Sequence, residues 1–400
     1  MLHTNGFQSR KSTVSNLLES VSDWIFSIDS RNNIDVVYLD LKKAFESVVH
    51  SKLLLKISQI GICGDLFDWL VCYLSDRQQC TVINGIRSPY RSVLSGVPQG
   101  SVLGPLLFII FINDLPAYLL SKFSPDHPSI KLFADDLKTF YVVNSLNDAL
   151  YFQSFLNTIC DWCFEWQLSL NVDKCELLHL GKSNFCYNYG LYGAKLPSPT
   201  RVRDLGVLID NELNFSDHIS SIVSKARSRC GIFLKSFVSR DTLLMKKFFV
   251  LYVRPILENA CEVWNPICQK DINNLENVQR YFSNKFPCCS FLPYSQRLAM
   301  LSLDSLHHRR SAADITCIYS IVTGGLDAIL TPYLDHILPS ITRGHNLKIC
   351  LPLLRYVHSG QNIISRTVVS WNSLPQYVLN STNRAAFRKS VSKYLTDKYR

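Results

Sequence analysis

Apolar residues follow two different periods along this chain, and the switches between them mark where strands give way to helices. Leu17, Leu18, Val21, Trp24 and Ile25 recur at helical spacing, which predicts a helix over residues 12–28. The β-rich run from Ile34 to Leu39 predicts a strand that ends on Asp40. Helical spacing resumes at Lys43, breaks near His50-Ser51 and runs from Lys52 to Ile60, where Gly61 offers a C-cap. A further helix is expected over 66–74. Gln79 to Ile83 and Ile86 to Val93 flank Asn84-Gly85, a strong short hairpin signal.

Ser95 to Pro105 reads as a Gly/Pro/Ser loop leading into an apolar helix from Leu106 to Asn113. Ile130 to Val143 reads as an apolar hairpin with Asp135-Asp136 at its turn. Phe152, Phe155, Leu156, Ile159, Cys163 and Trp166 mark one face of an amphipathic helix. Leu177 to Leu180 predicts a strand stopped by Gly181. Residues 185–199, rich in Tyr, Gly and Pro, predict loops or short strands, and Asp204 to Ile209 predicts one strand. Long helical patterns follow over 220–237, 243–259 and 272–284. Strands and helices therefore alternate up to about residue 182, which argues an α/β or α+β domain, and helices dominate afterwards, with soft boundaries near 184 and 240.

Composition narrows the class. Four hundred residues suggest two to three domains, and 47% hydrophobic with 18% charged residues describes a packed core and excludes a disordered chain. The formal charge of +10 suits a polyanionic partner such as nucleic acid, without requiring one. Fourteen cysteines are scattered through apolar segments, without the close spacing of a disulfide scaffold, so a reducing intracellular compartment is expected. The N-terminus has no signal-peptide core. The longest apolar run, Leu103 to Ile112, is broken by Gly104-Pro105 and too short to span a bilayer, so no membrane partner is expected.

The candidate chemistry lies in carboxylates at strand ends. Asp135 and Asp136 sit side by side at a hairpin turn, and Asp40 ends another apolar strand. Like charges there repel, and burying either costs several kcal/mol. A divalent cation removes that cost, and hard oxygen ligands in twos and threes suit Mg²⁺. A lone Asp-Asp pair between strands is equally readable as a polar turn.

Three strings decide between these readings. YLDLKKAF at Asp40, SGVPQGSVLGPLLFIIFINDLP over 95–116 and FADD over 133–136 resemble, in that order, the reverse transcriptases of non-LTR (LINE-type) retrotransposons, specifically the jockey-like branch. WCFEWQLSLNVDKCELLHLGK resembles the family's fourth palm motif and VRDLGVLIDNELNFSDHI its primer-grip region. LYVRPILENACEVWNP, TRGHNLKI, WNSLP and AFRKSV resemble the segment that follows the polymerase. The resemblance implies an α+β fold, a right-hand polymerase: partial fingers and palm over 1–184, primer grip and start of the thumb over 185–240, and a helical thumb and C-terminal segment over 241–400. NGFQSRKSTVSNLLE resembles a segment well inside the fingers, so an N-terminally truncated copy or partial gene is expected.

The same resemblance implies residue roles. Asp40 and Asp135 would bridge two Mg²⁺ ions, for which Mn²⁺ can substitute, with Asp136 more peripheral and Leu41 lending its backbone carbonyl. Phe45 would pack under the nucleotide sugar and exclude a 2′-hydroxyl. Gln99 and Gly100 would approach the nucleotide and template in a loop shaped by Gly96, Pro98 and Ser101, whose small residues admit close backbone approach. Lys174 would protonate the leaving pyrophosphate or neutralise charge. Glu46 departs from the family's usual Asp, which affects positioning more than metal binding.

Lys225, Arg227, Arg229 and Lys235, then Lys246, Lys247 and Arg254, fall where the thumb is expected and would contact phosphates of template and primer. The implied partners are an RNA template, a DNA primer and deoxynucleoside triphosphates, and the implied work site is the nucleus. Cys160, Cys163, Cys175 and His179, and separately Cys288-Cys289 with His307-His308, have zinc-like spacing, but buried reduced cysteine explains them better. The activity expected is RNA-directed DNA polymerisation. The alternative is an inactive remnant that at most binds nucleic acid.

Overall fold

A computed structural model describes residues 6, 8–123, 127–328, 330, 337–338, 345, 347–349 and 361–398. The chain forms two compact units. Residues 1–12 with 32–200 make the first, and residues 13–31 with 201–400 the second. The first helix, α1 (Thr13–Asp29), is thus part of the second unit, although it precedes every strand of the first.

The first unit is built on β1 (Ile34–Asp40), followed by α2 (His50–Gln59) and α3 (Asp65–Leu74). The helix expected from Lys43 is absent. Residues 42–47 form turns, with Lys43 at φ +49 and both Glu46 and Ser47 N–H donating to its carbonyl. The Asn84-Gly85 hairpin forms as expected, β3 (Val82–Ile83) against β4 (Ile86–Arg87), inside an outer pair of β2 (Gln78–Gln79) and β5 (Arg91–Ser92). Both turn residues have positive φ, as a primed turn requires.

Next come α4 (Leu103–Ile112) and α5 (Leu115–Lys122), then β6 (Ser129–Phe133) and β7 (Asp136–Val142). The helix α6 (Leu146–Trp166) starts at a capping box made by Ser145 and Asp148. After it come β8 (Glu176–Leu180) and the small pair β9 (Gly190–Leu191) and β10 (Ala194–Lys195). The helix α4 begins inside the stretch read as loop, because Pro105 falls in its first turn, where no N–H is needed. By length and composition alone, α4 and α5 together, Leu103–Lys122, are long and apolar enough to cross a membrane, where Leu103 to Ile112 by itself is too short. Leu107, Phe108, Phe111 and Ile112 are buried in the core.

Four strands make an antiparallel sheet in the order β6-β7-β1-β8. As an inner strand, β1 has its residues from Ile34 to Val37 buried regardless of face, Asp35 among them, which explains why its apolar residues do not alternate as in a half-buried strand. Packed with α2, α4 and α6, the sheet encloses Val37, Leu39, Phe111, Phe155 and Trp162. At about 1.5–3 kcal/mol per fully buried large apolar side chain, this cluster holds the strand ends in place.

The second unit opens with a hairpin, β11 (Arg201–Asp204) and β12 (Val207–Asp210), where one strand was expected. Leu205 and Gly206 both take positive φ and turn the chain back. The helices α7 (Ser216–Ser236), α8 (Thr242–Phe248), α9 (Arg254–Glu258), α10 (Cys261–Trp264), α11 (Gln269–Ser283), α12 (Tyr294–Leu301) and α13 (Leu306–Val322) follow. The pattern over 243–259 is split by a π-turn at Phe249–Val253, just before Pro255. Short strands β13 (Ile337–Leu338) and β14 (Lys348–Ile349) pair, and α14 (Ile363–Asn372), α15 (Gln376–Leu379) and α16 (Arg384–Lys398) end the described chain. The TRGHNLKI string lies partly outside the described residues.

Candidate active site

The candidate site gathers at one end of the four-stranded sheet. Asp40 on β1 lies directly opposite Asp136 on β7, and Phe133 on β6 continues the row. Residues opposite one another in a ladder point to the same face, with Cβ atoms about 4.5–5.5 Å apart, so the two carboxylates share a face. Asp135 is the second residue of a two-residue turn whose first, Ala134, has φ +55. Asp135 and Asp136 are exposed, and the Asp40 side chain is 38% exposed. The resemblance makes Asp136 peripheral, whereas the register gives it the position facing Asp40.

The strand end is held from below. Asp40 N–H donates to Cys175 Sγ at 3.4 Å, and the Asp40 carbonyl accepts from Asn171 N–H at 2.8 Å. Lys42 N–H donates to the Ser169 carbonyl at 2.7 Å, so Leu41 bridges Leu170 without using its own carbonyl in that bridge. Lys174 ends a 3₁₀ turn and sets its ammonium 3.9 Å from Asp40 Oδ2. Exposed as it is, that pair adds little stability. Its contribution is positive charge beside a group of carboxylates.

Like charges directly opposite destabilise a ladder, and a hard divalent cation relieves that repulsion. Mg²⁺ binds through one or two carboxylates and fills its remaining positions with water and substrate phosphates. Asp40, Asp136 and Asp135, with the Leu41 carbonyl, suit that donor chemistry. Among the described residues no three His, Cys, Asp or Glu side chains close into a preformed ligand set.

The second part of the site is the loop over 95–100, strapped to the turn after β1. Gly96 N–H donates to the Val48 carbonyl at 2.8 Å, Val97 N–H to the Phe45 carbonyl at 2.8 Å, and Ser95 Oγ to the Glu46 carbonyl at 3.0 Å. His50 Nε2 reaches the Gly96 carbonyl at 2.8 Å. Gly96 has φ +94, and a Cβ there would meet the Glu46 backbone at 2.9 Å. Only glycine fits this crossing. Ser101 Oγ donates to the Pro98 carbonyl at 2.6 Å and accepts from Gly104 N–H at 2.9 Å, which ties the loop to α4. Gln99 and Gly100 are exposed at its rim, Gly100 with φ +77.

Beside this loop lies a cleft of about 850 Å³, lined by Lys43, Glu46, Arg77, Gln78, Gly96 and Gln99 among others. Phe45 is half-buried and stacks on the buried ring of Phe108, centroids 4.4 Å apart at 26°. Sequence reasoning missed His50, Arg77 and Lys43, whose roles depend on a turn and a hairpin brought together from distant parts of the chain.

Among the basic candidates of the second unit, Lys225 and Arg229 are four apart on α7 and so lie on one side at 3.6 residues per turn. Arg227, two from each, faces away from them and lines a separate pocket with Arg280 and Arg297. Lys235 is exposed near the end of α7, Lys247 is exposed on α8, and Lys246 is half-buried. Arg254 lies 4.0 Å from Glu258.

Cys160, Cys163 and Cys175 are packed into the core, whereas Cys288 and His308 are half-buried and His307 is exposed. Burial pushes the Cys163 thiol up to about 12 and the Cys175 thiol up to about 11, which keeps both protonated. His179 Nδ1 pairs with the fully buried Asp35 at 2.5 Å, where Tyr189 and Asn184 also donate.

Residues 5–209 match the family described as reverse transcriptase (RNA-dependent DNA polymerase). The probable RNA-directed DNA polymerase from transposon X-element of Drosophila melanogaster is 27% identical over 301 residues, covering 72% of this chain and 32% of that protein. The RNA-directed DNA polymerase from mobile element jockey of Drosophila funebris is 27% identical over 283 residues, covering 68% and 30%. The chain therefore spans about a third of the length of these curated relatives. Apo telomerase from Candida tropicalis aligns with a TM-score of 0.41 at 9% identity, covering 80% of this chain and 55% of that one, too slight a likeness to argue from. The match over half the chain shows that this protein belongs to the reverse transcriptase family, and its similarity to the X-element and jockey proteins relates it to the enzymes of jockey-like non-LTR retrotransposons.

Proposed function

We propose that this chain carries the nucleotidyl-transfer centre of an RNA-directed DNA polymerase that extends a DNA primer on an RNA template. The observation that carries this reading is the register placing Asp40 opposite Asp136, with Asp135 in the adjoining turn. The four-stranded sheet then serves as the palm of a right-hand polymerase that with partial fingers occupies 1–184, residues 185–240 serve as primer grip and start of the thumb, and 241–400 as the helical thumb and C-terminal segment.

Asp40, Asp135 and Asp136, with the Leu41 carbonyl, would hold two Mg²⁺ ions, which when bound activate a primer 3′-hydroxyl and stabilise charge on the transferred phosphorus. The chain's own residues do the rest. Cys175 and Asn171 bond the Asp40 backbone and so fix the strand end that carries its carboxylate, beside which Lys174 sets a positive charge. Lys174 holds a proton within reach of the departing pyrophosphate. Phe45, backed by Phe108, discriminates against a 2′-hydroxyl, and the loop over 95–100 orients the nucleotide opposite the template. Because the proposed primer is a nicked chromosomal 3′ end, the nucleus is the proposed place of work.

Primer extension on poly(rA)/oligo(dT) with Mg²⁺ tests this reading by comparing the chain with Asp135→Ala. The expected result is extension by the first and none by the second. If neither extends a primer that both bind, the chain is a nucleic-acid-binding remnant.

A further inference from the structure

We propose that Arg227, Arg280 and Arg297 form a phosphate pocket in the second unit, which takes a phosphodiester of single-stranded nucleic acid with a neighbouring base stacked on Tyr281. The three arginines come from α7, α11 and α12 and line a cavity of about 770 Å³ together with Asn277, Tyr281 and Asn284. Asn277, Arg280, Tyr281 and Asn284 recur at steps of three and four, so they share one face of α11.

The pocket lining carries three arginines and no acidic residue. Arg297 is 7% exposed, yet its hydrogen bonds go only to neutral oxygens: Nη1 to Asn284 Oδ1 at 2.7 Å and the Leu292 carbonyl at 3.3 Å, Nη2 to the Arg280 carbonyl at 3.3 Å. Its Nε is buried without a hydrogen-bond partner. Arg280 donates to Asn277 Oδ1 at 2.6 Å, and both Arg280 and Arg297 lie against the Tyr294 ring, at 4.9 and 5.6 Å from its centroid. Cation–π contact stabilises each guanidinium but leaves the net charge. None of the three forms an ion pair among the described residues. Glu276 on the same helix directs its carboxylate to the Tyr294 hydroxyl and the Leu306 and His307 N–H groups and keeps its charge, but it forms no ion pair with the three arginines.

A buried, unpaired guanidinium is costly unless an anion completes it, and arginine forks match phosphate oxygens. Tyr281, half exposed at the rim, supplies the aromatic face on which an unpaired base stacks. The choice of nucleic acid over free phosphate rests on the nucleic-acid reading above, on that ring, and on the net charge of +10.

The test uses the full chain and fluorescein-labelled oligo(dT), read by anisotropy across a salt series. The exposed pair Arg227→Ala/Arg280→Ala is expected to weaken binding at least tenfold and to flatten the salt slope by about two. Tyr281→Ala is expected to weaken oligo(dT) several-fold and leave an abasic oligomer unchanged. Unchanged affinity and slope in the double variant would overturn the pocket. Displacement of oligo(dT) by inorganic phosphate at equal phosphate concentration would make it a free-anion site and overturn the nucleic-acid assignment. Primer extension in the same preparations separates the two readings: arginine-dependent binding without extension removes the polymerase reading alone, and extension with arginine-independent binding removes the pocket alone.

Discussion

Gly96→Ala isolates the strap that joins the loop over 95–100 to the turn after β1. The added methyl would sit 2.9 Å from both Glu46 Cα and its carbonyl oxygen, backbone atoms that cannot rotate aside. A non-glycine residue at φ +94 also costs about 1–3 kcal/mol. Relieving the contact means stretching the Gly96 N–H to Val48 or the Val97 N–H to Phe45 bond, each worth about 1 kcal/mol. The sum is about 2–4 kcal/mol, set against the hinge between the loop carrying Gln99 and the turn carrying Phe45. If the loop orients the incoming nucleotide and the full cost falls on the transition state, the variant binds primer-template normally but loses roughly 30- to 700-fold in kcat/KM for dTTP, since about 1.4 kcal/mol is a factor of ten. Urea unfolding measures the stability change and single-nucleotide incorporation the catalytic one. Stability within about 0.5 kcal/mol of wild type and unchanged kcat/KM would refute the strap.

Phe45→Ala should raise the ratio of ribonucleotide to deoxynucleotide incorporation at least tenfold, and unchanged sugar selectivity in a steady-state comparison would remove Phe45 from the gate. Lys56 is buried against Phe111, Trp162 and Trp166, with Asp114 Oδ1 2.5 Å away, and burial lowers its ammonium from 10.5 to about 8. The unfolded chain therefore holds this proton between pH 8 and 10.5 while the folded chain has released it, so stability from Lys56 grows as pH rises through that window, by about 3 kcal/mol. Urea titrations of wild type and Lys56→Met at pH 7 and 10 should differ in slope by most of that amount, and parallel pH dependences would contradict it. His218 is lowered to about 4 by burial first and then by Arg203 and Lys225, and its Nδ1 accepts from Leu208 N–H. Its stabilisation is present above pH 6.5 and lost as pH falls towards 4, again about 3 kcal/mol, so acid unfolding of His218→Gln should be less steep than that of wild type.

What the sequence disclosed and what it withheld have separate physical causes. The carboxylates were legible because strand ends, tight turns and their flanking strings are local in sequence. The same holds for the Asn84-Gly85 turn, where two residues dictate the backbone. The register of Asp40 against Asp136 was not legible, since pairing across a sheet depends on which distant strands meet. An amphipathic stripe on α1 says that the helix buries a face and nothing about which unit receives it. Leu205-Gly206 was read through as strand because leucine seldom takes positive φ, and the turn is imposed by its surroundings. Arg227, Arg280 and Arg297 share no local period, so only the packing of three helices brings them to one pocket.

The central claim is that Asp40 and its neighbours on the sheet end perform metal-dependent nucleotidyl transfer. Its most direct test is single-nucleotide incorporation on primed poly(rA) at saturating dTTP through a Mg²⁺ titration, comparing wild type with Asp40→Asn. The account predicts a saturable Mg²⁺ dependence in wild type and a rate lower by roughly a thousandfold in the variant, about 4 kcal/mol, with primer-template affinity retained. Equal rates in the two proteins, or no incorporation by a wild-type chain that binds the primed template, would contradict it.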